Sequence, residues 1–137
     1  MRLKIVPGSD VVSPSEGDIT AALGRVYAGA IDAVILLSDP AANLYMQVPS
    51  GGQHIEYCVG PDGPIYAADD IPLDQAHNLF LSYARGDERW KTAVPWSVLV
   101  ESLKASRSGL TLNPRGVAIA VDLGVVFALV LCWVVMQ

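Results

Sequence analysis

The chain has 137 residues, with nine Lys and Arg against fourteen Asp and Glu and a formal net charge of −5. Ahead of Lys104 the balance is six basic against thirteen acidic residues, net −7. A surface of that sign repels phosphates, which argues against nucleic acid as a direct partner and favours a basic protein. Two cysteines, Cys58 and Cys132, stand far apart with no CxxC or Cys/His spacing, so no zinc site is expected.

Residues 1–14 read as a short apolar start followed by a loop rich in Pro, Gly and Ser. No apolar run of signal-peptide length occurs there, which implies a cytoplasmic start. Ser15 with Asp18 three residues on forms a capping-box pattern. Ile19, Ala22, Leu23, Val26, Tyr27 and Ala30 follow at helical spacing and make one apolar face, weakened by Gly24 and Gly29. Residues 33–38 are a continuous apolar run suited to a buried strand, and Asp39-Pro40 turns the chain. Residues 44–48 and 54–59 alternate apolar and polar, with turns at 49–52 and 60–63 and a short last strand at 64–67. This spacing predicts an antiparallel meander of four or five strands with one solvated face.

Asp70 or Ile71 is the expected cap of a second helix, with Pro72 in its first turn and Asp74 complementing the helix dipole. Leu73, Ala76, Phe80 and Ala84 share a face, and Gly86 is the stop signal. Val94, Trp96 and Val98 then alternate as a returning strand, which Pro95 confines to a sheet edge. Residues 97–104 read alternatively as a short helix. Residues 105–115, with Ser106, Ser108, Gly109 and Pro114, have the composition of a linker.

Residues 116–136, GVAIAVDLGVVFALVLCWVVM, carry one charge, Asp122. As a helix they would run for about 31 Å, close to the ~30 Å of a bilayer's hydrocarbon core. Asp122 costs about 2.5–3.5 kcal/mol at a helix centre, and the Ile, Val, Leu and Phe residues around it return about 0.3–0.6 kcal/mol each. Lys104, Arg107 and Arg115 precede the run, so the bias of basic residues puts the domain on the cytoplasmic side. The expected organisation is a binding domain at 1–104, a linker at 105–115 and a tail anchor at 116–136, held on the cytoplasmic face of the inner membrane. The competing reading is a buried β-hairpin turning at Asp122-Leu123-Gly124, which the valines favour.

Catalytic signals are weak. His54 falls on the polar face of an expected strand and His77 inside an expected helix, and neither stands in a nucleophile motif. No phosphate loop is present, and no cofactor or metal is expected. Asp62, Asp69, Asp70 and Asp74 form an acidic run without the spacing of a calcium loop. It reads either as a solvated helix entry or as a docking patch that steers a basic partner.

The segment GPIYAADDIPLDQAHNLFLSYARGDERWKTAVPW, residues 63–96, resembles the C-terminal half of a family of small bacterial immunity proteins, the first-numbered one, which guard against polymorphic toxins of deaminase type. The shared pattern is a strand ending in Tyr66, the acidic Asp69-Asp70 loop, the helix start at 71–75, the stop at Gly86, and the Val-x-Trp strand of Val94 and Trp96. The preceding GGQHIEYCVGPDG is similar to the hairpin that leads into it. The resemblance covers about half of the chain. It implies a non-enzymatic protein that occludes a toxin's active site, with Tyr45, Tyr57, Tyr66 and Trp90 as aromatic anchors and Asp62, Asp69 and Asp70 as steering charges. The expected fold is α+β: an antiparallel meander sheet with two packed helices, followed by the transmembrane helix. The rival function is a membrane-anchored adaptor or assembly protein acting through its tail.

Overall fold

The computed structural model describes residues 1–42 and 44–100. In chain order the elements are β1 (Arg2–Val6), β2 (Asp10–Val12), α1 (Glu16–Tyr27), β3 (Ala33–Asp39), β4 (Leu44–Pro49), β5 (Gln53–Val59), β6 (Ile65–Ile71), α2 (Leu73–Arg85), α3 (Trp90–Ala93) and β7 (Ser97–Val100). Among the described residues seven strands form one antiparallel sheet in the order β2-β1-β3-β4-β5-β6-β7. The α+β class and the meander from β3 to β6 are as expected. Among the described residues no helix is long and apolar enough to cross a membrane. The anchor expected at 116–136 and the linker at 105–115 lie outside the described residues.

Three features depart from the sequence reading. The chain begins with a β1–β2 hairpin rather than an apolar start and a loop, and this brings the sheet to seven strands. A short third helix, α3, precedes the last strand. Residues 97–100 are β7 and not helix, and among the described strands β7 is at the sheet edge, with Pro95 in the connection before it and not in the strand. Val94 and Trp96 fall before it.

Local chemistry accounts for the two long helices. The Ser15 side chain accepts from the Asp18 backbone N–H at 3.1 Å, and Asp18 Oδ2 accepts from the Ser15 N–H at 2.8 Å. Two orphan donors of the first turn are thereby satisfied, and the Ser15 hydroxyl holds the Asp18 carboxyl below its usual range. The expected cap of α2 moves by one or two residues, to Pro72, which uses no side-chain hydrogen bond. Its C-terminus closes on Gly86 in the left-handed region (φ +72°), whose N–H returns to the last turn.

Both helices bury their apolar faces on one side of the sheet. Ile19, Leu23 and Val26 of α1 and Ala76, Leu79 and Phe80 of α2 form a single core with Leu3, Val34, Leu36, Met46, Val48 and Ile55. Those strand residues alternate with a second apolar row, Ile35, Leu37, Tyr45, Cys58 and Ile65, on the other face, also buried. Tyr27, at the end of α1, ties helix to sheet by donating its hydroxyl to the Ile71 carbonyl at 2.8 Å. Replacing Tyr27 with Phe leaves that carbonyl without this donor and is expected to lower stability by about 1 kcal/mol. Urea unfolding at constant m-value checks it.

Candidate partner-binding site

The helices lie over β3 and β4. Towards the β5–β6 end the same sheet face is occupied by aromatic rings instead. Tyr57 and Tyr66 are directly opposed across β5 and β6 and stack with centroids 4.7 Å apart and planes 13° from parallel. Trp90 of α3 and Trp96 meet Tyr57 edge-on at 4.7 and 4.8 Å. Tyr83 of α2 meets Trp90 at 5.3 Å. Each edge-to-face pair places a ring's positive rim on a neighbour's negative face and adds about 0.5–1.5 kcal/mol beyond its buried area.

The corner is fixed by polar contacts. The buried Ser82 hydroxyl donates to Asp87 and accepts from the Trp90 N–H at 3.2 Å, which sets α3 against α2. Arg89 binds the other Asp87 oxygen at 2.8 Å. Arg89 first and Ser82 second hold the Asp87 carboxyl well below the usual carboxylate range. The Trp96 indole N–H donates to the Trp90 carbonyl at 3.0 Å. The Tyr83 and Ser38 hydroxyls are hydrogen-bonded at 2.9 Å, and burial pushes the Tyr83 phenol up.

A cleft of about 400 Å³ opens beside these rings. Leu44, Tyr57, Val59, Tyr66, Tyr83 and Trp90 form most of its wall, with Ser38 and Lys91 contributing the polar groups. Val59 is 52% exposed and Val98, which pairs with Tyr66 on β7, is 53% exposed.

Of the expected anchors, Tyr57, Tyr66 and Trp90 are therefore brought together. Trp90 is 8% exposed and serves as floor. Tyr45 is not part of the cluster: it points to the opposite face and is 1% exposed. Asp62 lies, exposed, in the turn between β5 and β6. Asp69 and Asp70 are at the far end of β6, both exposed, so the acidic run is divided between two places.

A second cluster stands on the sheet face away from the helices, around a histidine that falls in no recognisable sequence motif. His54 faces Asp69 Oδ1 through Nδ1 at 2.5 Å and Glu56 Oε1 through Nε2 at 2.9 Å. Glu56 is 4% exposed, and its other oxygen accepts from the Gln47 amide at 2.6 Å. An imidazole with a carboxylate on each nitrogen must carry both protons to donate twice. The Glu56 hydrogen bond, reinforced by Asp69, raises the His54 pKa to about 9 against the opposing cost of burial. With no lone pair left, this histidine has nothing to offer as a general base at neutral pH. Among the described residues no group of three or more His, Cys, Asp or Glu side chains is arranged to hold a metal ion.

Comparison with protein-family models, with curated proteins and with solved structures finds no match to this chain.

Proposed function

We propose that this is a non-enzymatic acidic binding protein of the immunity type, which neutralises a basic toxin by covering its active site. The observation that carries the reading is the convergence of Tyr57, Tyr66 and Trp90 into one aromatic cluster beside an open apolar cleft. Aromatic residues at a partly exposed, well-packed centre supply large contact area at little entropic cost, and charge around them selects and steers the partner. The domain's excess of carboxylates gives that steering its sign. His54, held as a cation between two carboxylates, fits a structural and not a catalytic part.

The test is co-expression with a candidate toxin of the deaminase type. Cells carrying both genes are expected to grow, and cells carrying the toxin alone to die. Growth arrest in the presence of soluble, folded protein would refute the immunity reading. A complex isolated from the protected cells is expected to dissociate more readily as salt rises, because rim charges are screened over about 10 Å at 0.1 M.

A further inference from the structure

We infer that the aromatic cleft is a binding site for a small aromatic carboxylate. The inference goes beyond the immunity reading and stands independently of it, since the ligand is a free molecule and not a toxin side chain. The cleft's volume of about 400 Å³ is in the range that takes a small ligand. Tyr57, Tyr66, Tyr83 and Trp90 are in its lining, so a planar apolar body suits it best. Trp90 already meets Tyr57 and Tyr83 edge to face at 4.7 and 5.3 Å, and one more ring extends the same packing.

The polar groups of the cleft select the other end of the ligand. Among the described residues, the charged group in its lining is the cation Lys91. Its ammonium lies 5.7 Å from the Trp90 ring centroid and 2.6 Å from Glu88. The Lys91 and Glu88 side chains are 47% and 77% exposed, and an ion pair that open to water is weak and readily exchanged. A carboxylate held in place by its buried ring can therefore take Glu88's position. The phenols of Tyr57 and Tyr66 supply further donors. Their rings stack from directly opposed positions, and neither hydroxyl has a hydrogen-bond partner among the described residues. The Tyr83 and Ser38 hydroxyls, by contrast, satisfy each other. Burial first and the Tyr66 phenol second push the Tyr57 phenol up, so it keeps its proton at neutral pH and can donate. An aromatic amine would bring like charge to Lys91, and a plain hydrocarbon would leave these donors unused. The acidic surface repels anions at long range, but that repulsion is screened over about 10 Å at 0.1 M salt, so contacts inside the cleft decide.

The experiment is a titration of the isotope-labelled full chain, followed by amide and indole resonances. The probes are phenylacetate, its neutral isostere phenylacetamide, and hexanoate, which keeps the carboxylate without the ring. Phenylacetate is expected to move the resonances of Val59, Tyr66, Trp90 and Lys91 with millimolar affinity, about three-fold or more tighter than either control. Lys91→Gln, at an exposed position, should bring phenylacetate down to the affinity of the amide. Glu88→Gln, which frees Lys91, should tighten phenylacetate by about two-fold and leave the amide unchanged. Equal binding of the amide or of hexanoate, undiminished phenylacetate binding in Lys91→Gln, or no movement at these residues overturns the inference. Movement of the same resonances with protein concentration alone also overturns it, by making a second copy the occupant. Toxin protection by a protein whose cleft stays empty removes the carboxylate site and leaves the immunity reading standing. A seated phenylacetate without toxin protection does the reverse.

Discussion

Gly52→Ala is expected to destabilise the fold by about 3 kcal/mol, far more than Gly51→Ala one residue earlier. Both glycines lie in the β4–β5 turn with positive φ, +86° at Gly51 and +65° at Gly52. An alanine at either position meets the left-handed backbone penalty of about 1–2 kcal/mol. Only at Gly52 does the added methyl carbon collide: it would lie 2.5–2.6 Å from three ring atoms of Tyr27. That ring cannot swing away without giving up its hydrogen bond to Ile71, so overpacking adds about 1–3 kcal/mol. Nothing stands within 4 Å of the corresponding atom at Gly51. Equilibrium unfolding of the two variants side by side separates backbone strain from steric conflict. Equal losses would show that the Tyr27 ring yields.

His54→Asn is expected to cost on the order of 2 kcal/mol at pH 6.5 and nearly nothing at pH 9.5. The folded chain binds the His54 proton more tightly than the unfolded chain, whose pKa stays near 6.5. The histidine's contribution is therefore complete below about pH 6.5, declines as pH rises, and is spent once the folded-state value of about 9 is passed. The full shift corresponds to a ceiling of about 3 kcal/mol, reduced because about a third of the ring is open to solvent. The loss arises from Glu56, a buried carboxylate left with Gln47 but without its cation. Adding Glu56→Gln to the His54 variant should recover part of it. Denaturation midpoints for wild type, both single variants and the double variant between pH 6.5 and 9.5 read the coupling directly. Parallel wild-type and His54→Asn curves across that range would sink the argument.

Much of this cluster was legible and passed over. The β5–β6 turn signal at 60–63 fixes the hairpin, and counting outward from it pairs Tyr57 with Tyr66 and sets His54 across from Asp69. The aromatic stack follows from register alone. The environment of His54 does not, because Gln47 arrives from β4, and the depth at which Glu56 is buried is not a property of its own strand. Ser15 with Asp18 and the left-handed Gly86 marked the helix ends because capping is local chemistry. The β1–β2 hairpin escaped notice for the opposite reason: RLKIV alternates, but it is short, charged at two positions and followed at once by Pro7 and Gly8. Its strand state comes from pairing with β3, some thirty residues further along the chain. Trp96 was expected to point from a strand, yet the hydrogen bond of its indole to Trp90 holds it in the connection from α3 to β7.

The strand order carries a kinetic consequence. Apart from the exchange of β1 and β2 at one edge, the described strands follow the sequence, so none of them must be threaded between two others already in place. The largest gaps are the excursions through α1, between β1 and β3, and through α2 and α3, between β6 and β7. Each gap holds helix that forms from contacts only a turn apart. Such a chain can assemble by adding neighbours outward from the β3–β6 meander, with small loops to close at each step. It should therefore fold faster than a Greek-key sandwich of equal size, in which distant strands must find each other before either is rewarded.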